Sequence, residues 1–158
     1  MARYEYDLIV IGAGSGGVRA ARMSSSYGAR VAIAEEKYLG GTCVNVGCVP
    51  KKLFVYASHF SEDFVQSKAF GWAFSDTKFD WPTLLENKNT EIARLNKIYQ
   101  DLLDEAGVDR FEGRAKIIDG HSVKIGSRIL STQKILIATG GKPVRPEFPG
   151  AAYTITSD

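Results

Sequence analysis

A glycine-rich turn near the N-terminus constrains this chain more than any other feature. Gly12-Ala13-Gly14-Ser15-Gly16-Gly17 follows an apolar, β-branched run from Tyr6 to Ile11 and opens a helix-compatible stretch reaching Tyr27. Gly28 supplies a left-handed stop, and residues 30–35 (RVAIAE) read as a second buried strand closing on Glu35. Strand, GxGxxG turn, helix, strand and closing acid together form the context in which this motif binds a dinucleotide. Gly12 permits the tight turn, Gly14 lets backbone approach a pyrophosphate, and Gly17 lets helix and strand pack closely. The helix N-terminus presents free amides and a positive dipole end to the phosphates. Glu35 is suited to accept hydrogen bonds from ribose hydroxyls and would repel a 2′-phosphate, which favours FAD or NAD over NADP here. The plainer alternative, turn-forming glycines and a solvated Glu35, is disfavoured by that context.

The rest of the chain extends an α/β pattern. Residues 40–47 form a glycine-rich loop holding both cysteines, and Pro50 suits the first position of a helix running to about residue 68. An aromatic-rich connector over 69–78 leads to a long helix, N-capped by Asp80 and stopped by Gly107. Its stripe of Leu85, Ile92, Leu95, Tyr99, Leu102 and Ala106 needs a partner, and Phe54, Ala57 and Phe64 of the preceding helix are the nearest. Beyond Gly107 the period changes to two. Short strands over 114–118, 122–125 and 128–131 read as a small antiparallel meander, and 134–138 (KILIA) as a further buried strand. Pro143, Pro146 and Pro149 mark an exit segment. The expected fold is α/β: a Rossmann-like FAD-binding βαβ with a parallel sheet, a helical excursion and a small antiparallel β-meander. A doubly wound sheet normally has more strands, so 158 residues are expected to be a fragment.

Composition decides between classes of function. With 44% apolar residues the chain can build one core, and its net charge of +2 is interspersed rather than blocked, which excludes a nucleic-acid footprint. The apolar stretch from Leu8 to Ile11 is too short to span a membrane, and Glu5 and Asp7 do not suit a secretory signal. A cytoplasmic location is expected, where structural disulfides are rare. The two cysteines, Cys43 and Cys48, therefore invite a redox reading, although spacing alone also accommodates two unrelated buried thiols. A bridge closing so short a loop would contribute roughly 2 kcal/mol. No metal is expected, because Cys43, Cys48 and the distant His59 and His121 lack zinc-site spacing. Cys48 lies just before the predicted helix start beside Lys51, so its thiolate is the better stabilised. Cys43, further out, is the accessible nucleophile.

The run Gly40-Gly41-Thr42-Cys43-Val44-Asn45-Val46-Gly47-Cys48-Val49-Pro50-Lys51-Lys52 resembles the active-site signature of the pyridine nucleotide–disulfide oxidoreductases. The resemblance implies FAD at the first site. It also implies that Cys48 is the flavin-side charge-transfer thiolate, and that Cys43 attacks a disulfide substrate to leave a mixed disulfide that Cys48 resolves. Lys51 would lie near the flavin N5, favouring the reduced anionic flavin. Ser15 and Gly16 match positions at the FAD pyrophosphate, Glu35 the ribose contact and Thr42 a flavin contact, with Cys43 also beside the cofactor. Ala115, after Gly113-Arg114, matches the adenine portion, and Ile137-Ala138-Thr139-Gly140 resembles the second FAD signature.

The same resemblance bears on the substrate. Val-Pro-Lys-Lys is typical of members that reduce glutathione disulfide and of the related large thioredoxin reductases, whereas lipoamide- and mercury-reducing members usually carry Pro-Ser-Lys. Ser15 and Arg22 would contact substrate, Arg22 by pairing with a glutathione carboxylate. Leu95-Asn96-Lys97-Ile98-Tyr99 resembles the segment whose tyrosine lies between the glutathione halves. Each has an ordinary explanation as well: Arg22 as a solvated helix residue, Tyr99 as core packing. Residues 1–158 would then be the first segment of the FAD-binding domain. NADPH as hydride donor, the homodimer contact and a His–Glu acid/base pair would belong to domains outside this chain, since neither His59 nor His121 matches that pair. The alternatives are a reductase of another disulfide, such as lipoamide or thioredoxin, or an inactive FAD-binding or oligomerising module.

Overall fold

Along the chain run β1 (Tyr6–Ile11), α1 (Ser15–Ser26), β2 (Val31–Glu35), α2 (Gly41–Asn45), α3 (Cys48–Gln66), α4 (Trp81–Glu105), β3 (Asp109–Glu112), β4 (Ala115–Asp119), β5 (Ser122–Ile125) and β6 (Arg128–Ile137). These come from a computed structural model that describes residues 4–158, so residues 1–3 of the expected domain lie outside the described residues. The strands form one mixed sheet in the order β3-β2-β1-β6-β5-β4. β1 and β2 pair in parallel from Leu8 opposite Val31 to Ile11 opposite Ala34. Alternate side chains leave on opposite faces. Val10, Val31 and Ile33 pack on one side with Val18 and Ala21 of α1 and Leu103 of α4; Ile9, Ile11, Ala32 and Ala34 pack on the other with Val123, Ile125 and Leu130 of the meander. Because both faces are covered there, Leu8–Ile11 of β1 and Val31–Ala34 of β2 read as unbroken apolar runs. Burying one such side chain, Ile9 or Ile33, contributes about 1.5–3 kcal/mol.

Three differences from expectation have clear causes. Residues 109–112 were not expected as a strand, because Asp109-Arg110-Phe111-Glu112 is mostly charged. The segment forms β3, parallel to β2 at the sheet's edge, where charge is tolerated and discourages further pairing. The expected strands 128–131 and 134–138 are one strand, β6, whose first part pairs with β5 antiparallel and whose remainder pairs with β1 in parallel. The polar Thr132-Gln133 between them reads as a break, but the polar groups at this join are satisfied laterally. The Glu5 carboxylate accepts from the Ser131 amide (2.8 Å) and hydroxyl (3.0 Å), and fully buried Thr132 donates to the Lys134 carbonyl at 2.8 Å. On α4 the expected stripe omitted Leu103, its one fully buried residue, beside which Tyr99 and Ala106 pack.

One contact at the sheet's edge has a measurable consequence. The Tyr6 hydroxyl donates to Asp109 Oδ2 at 2.8 Å, and its ring meets Phe111 edge-on at 6.3 Å. Burial, and then the Asp109 carboxylate, push Tyr6 up to about 12 from an ordinary 10.0. The fold therefore favours the neutral phenol. That stability is fully present below pH 10 and is lost as pH rises toward 12. A tyrosinate absorbance titration should show one late phase near pH 12 that Tyr6→Phe removes.

Candidate active site

The turn between β1 and α1 is held from two sides. The Gly12 amide donates to the Ala34 carbonyl (2.8 Å) and the Ala138 amide to the Ile11 carbonyl (2.8 Å), so the exit of β6 lies directly on the turn. Gly12 has φ +103°, and a Cβ there would strike the Ala138 carbonyl oxygen. At Gly17 a Cβ would strike the Gly12 carbonyl oxygen and approach Val10 Cγ1 to 3.3 Å, so α1 seats against β1 only without a side chain. Gly14 is the N-cap of α1 and no side chain caps the helix, which leaves its first amides free for an anion. A Cβ at Gly16 would meet open space.

Glu35 has structural work at the same place. Its carboxylate accepts from the amides of Ala13 (2.7 Å), Glu36 (3.0 Å) and Lys37 (2.9 Å), pinning the turn to the end of β2. Ala115, Ile11 and Thr139 line one groove of about 760 Å³, together with Arg114, Ile117 and Ile137. The structure thus brings Gly12, Thr139, Gly140, Glu35 and Ala115 to one end of the sheet, although 138–140 are distant from the turn in sequence. A helix terminus with no side-chain cap behind a Gly-Ala-Gly turn, an acid at the next strand end and an adjoining groove fit the adenine-dinucleotide half of FAD.

The cysteine segment departs from the expected loop. Gly41–Asn45 is a helical turn, α2, and α3 begins at Cys48, with Pro50 in its first turn where an amide has no intrahelical partner. Gly40 (φ +87°) and Gly41 (φ +60°) make this possible, and a Cβ at Gly41 would fall 2.7 Å from Gly14 Cα. The cysteine segment therefore rests on the glycine turn between β1 and α1. Thr42 is exposed on α2, and Lys51 lines a groove of about 520 Å³ with Asn45, Gly47, Pro50, Phe54 and Lys88.

The accessibility expected for the two thiols is reversed. Cys48, the first residue of α3, is exposed, whereas Cys43, in the middle of the packed α2 turn, is half-buried. A hydrogen bond to the Cys48 side chain, then burial and the like charge of Cys48, push the Cys43 thiol up from its ordinary value. Both are free thiols in this structure.

Of the substrate candidates, Ser15 is exposed at the start of α1 and Arg22 is half-buried on the same helix, with no ion-pair partner among the described residues. Tyr99 packs on the core cluster, the ordinary role open to it. His59 is exposed on α3, and His121 stacks on Tyr4 at 4.9 Å with Nδ1 3.0 Å from the Thr132 carbonyl. Sequence reasoning passed over Asn45 and Asn96 as functional residues. The Asn45 amide donates to the carbonyls of Leu39 and Gly41, each at 2.9 Å, and the Asn96 amide donates to Leu39 O (2.9 Å) and Asn45 Oδ1 (3.0 Å). A short amide on the inward side of a long helix was the available signal.

Over residues 6–158 the chain matches the family described as pyridine nucleotide-disulphide oxidoreductase. It is 51% identical over 158 residues to a Burkholderia cepacia protein named glutathione reductase, covering 100% of this chain and 35% of that protein. A Pisum sativum protein named glutathione reductase, chloroplastic/mitochondrial, is 48% identical over 167 residues, covering 99% of this chain and 30% of the pea protein. A Nostoc protein named glutathione reductase is 47% identical over 155 residues, covering 98% of this chain and 34% of its own length. The chain spans about a third of the length of these curated relatives. With the cysteine segment resting through Gly41 on the glycine-rich turn and the family matched from β1 to the last residue, the chain belongs to the pyridine nucleotide-disulphide oxidoreductases.

Proposed function

We propose that this chain is the FAD-and-disulfide portion of an NADPH-dependent glutathione-disulfide reductase. The observation that carries the reading is the Cys43–Cys48 segment seated through Gly41 against Gly14, in a chain 47–51% identical to three proteins named glutathione reductase. Gly12, Gly14, Ser15, Gly16 and Gly17 would hold the pyrophosphate, Glu35 the ribose, Ala115 the adenine, and Thr42, Cys43, Lys51, Thr139 and Gly140 the flavin half. When bound, FAD would supply two electrons from NADPH to the Cys43–Cys48 disulfide.

The chain's own part is thiol–disulfide exchange. The Cys43 thiolate attacks one sulfur of glutathione disulfide, forming a mixed disulfide and releasing one glutathione thiolate. Cys48 then attacks Cys43 Sγ, re-forming the internal disulfide and releasing the second thiolate. Because burial and Cys48 push the Cys43 thiol up, its proton must be accepted before attack. Neither exposed His59 nor tethered His121 is assigned that task, and we place the acid/base group, the NADPH site and the homodimer contact outside this chain. Among the described residues no helix is long and apolar enough to cross a membrane. A cytoplasmic setting suits the reducing chemistry.

Substrate choice is testable at Arg22. In the full-length protein Arg22→Leu should raise KM for glutathione disulfide about tenfold, the loss expected for one charge-assisted hydrogen bond. Rates with lipoamide or thioredoxin should not follow. A wild-type protein that prefers either of those, or a variant equally impaired on all three, would overturn the glutathione assignment.

A further inference from the structure

We propose that Asn45 and Asn96 are positioning residues that set the redox equilibrium of the Cys43–Cys48 pair, as an amide clamp between α2 and α4. The inference rests on the reading of those cysteines as a redox couple. Asn45 lies between them and ends α2. Both its amide hydrogens are committed locally, to Leu39 O and Gly41 O, and its Oδ1 accepts from Asn96 at 3.0 Å. Asn96 spends its second hydrogen on the same Leu39 carbonyl at 2.9 Å. Four part-buried hydrogen bonds thereby join the strand-to-helix connection, the redox turn and a helix fifty-one residues further on.

The turn needs this support. α2 has five residues and no side-chain N-cap, far below the length at which a helix holds itself, whereas Cys48 opens the 19-residue α3. The sulfur–sulfur geometry therefore depends on how α2 is held beside α3. Asparagine is a poor choice for a helix interior, and on the packed side of α4 a leucine would bury more apolar surface. A local rule broken where all four hydrogen bonds converge on one turn points to a positioning role. Oxidation of the pair removes two electrons and two protons as one S–S bond forms. That bond tolerates a narrow geometry. Holding Cys43 near Cys48 raises the effective concentration of one thiol at the other, which favours closure.

The test is a redox titration of the full-length protein in glutathione buffers, with thiols trapped by alkylation and counted by mass. Asn96→Ala deletes two donors. Asn96→Asp keeps the volume but turns an oxygen toward Leu39 O and Asn45 Oδ1. Each should move the thiol–disulfide equilibrium about tenfold toward the dithiol, ~30 mV less negative for a two-electron couple. Asn96→Ser, keeping one donor, should fall between wild type and alanine. Asn89→Ala, at an exposed α4 position, should titrate as wild type. A wild-type protein with no reversible two-thiol couple would sink the reading of Cys43 and Cys48. A wild-type couple shared unchanged by whichever Asn96 variants fold would overturn the clamp alone.

Discussion

Cys43→Ser in the full-length protein is expected to lower glutathione-disulfide turnover by at least ~10⁴-fold, the scale on which losing a covalent nucleophile acts. Serine keeps the shape of the α2 turn, so the protein should fold and retain FAD, and NADPH should still bleach the flavin absorbance in a stopped-flow trace. The expected pattern is an intact first half-reaction and a missing second one. The structure makes this variant more informative than its partner. Cys48 is the exposed thiol and Cys43 the half-buried one whose thiol is pushed up, so surface access alone would assign attack to Cys48. If Cys43→Ser still turns over glutathione disulfide, attack belongs to Cys48 and the proposed order is wrong. If flavin reduction is lost together with turnover, Cys43 serves the cofactor rather than the substrate.

Gly12→Ala is expected to destabilise the protein by about 3 kcal/mol or more, because two penalties act at once. Gly12 has φ +103°, a conformation that residues with a Cβ rarely adopt, and the new methyl would stand against the Ala138 carbonyl, 2.8 Å from Ala138 C and 3.1 Å from Thr139 Cα. That backbone cannot withdraw cheaply, since Ala138 is tied to Ile11 O at 2.8 Å and β6 pairs with β1 along its length to Ile137. A urea titration should show a lower midpoint, with FAD released early. Gly16→Ala serves as the comparison: a Cβ there meets nothing within 4 Å, and alanine suits a helix, so stability should stay within about 0.5 kcal/mol of wild type. Equal midpoints for the two variants would mean that β6 does not press on the turn as described.

How much could be read in advance depended on the range of the interaction. β1, α1 and β2 form within a residue of their expected limits because each carries its own instruction: a doubly buried apolar run, a glycine turn, a left-handed stop at Gly28. α4 starts at its expected cap, with the Asp80 carboxylate accepting from the Thr83 amide at 2.8 Å, and ends at Glu105, just before the left-handed Gly107. These are interactions between neighbours in sequence, and the order of residue types encodes them. The family signature around Cys43 and Cys48 was legible for the same reason, being continuous.

What was not legible depended on distant partners. β3 is a strand because β2 offers an unpaired edge, although its own residues are charged. β6 runs unbroken through Ser131 and Thr132 because Glu5 and the Lys134 carbonyl satisfy them. Tyr99 packs beside the core cluster because Leu103 seats α4 against the sheet. Which thiol is covered follows from the packing of α2, and the Asn45–Asn96 bonds exist only once α4 lies beside it. Local periodicity and turn chemistry thus wrote the glycine turn and the cysteine pair into the chain. Their contact, Gly41 upon Gly14, arises when packing brings two separately encoded turns within van der Waals reach.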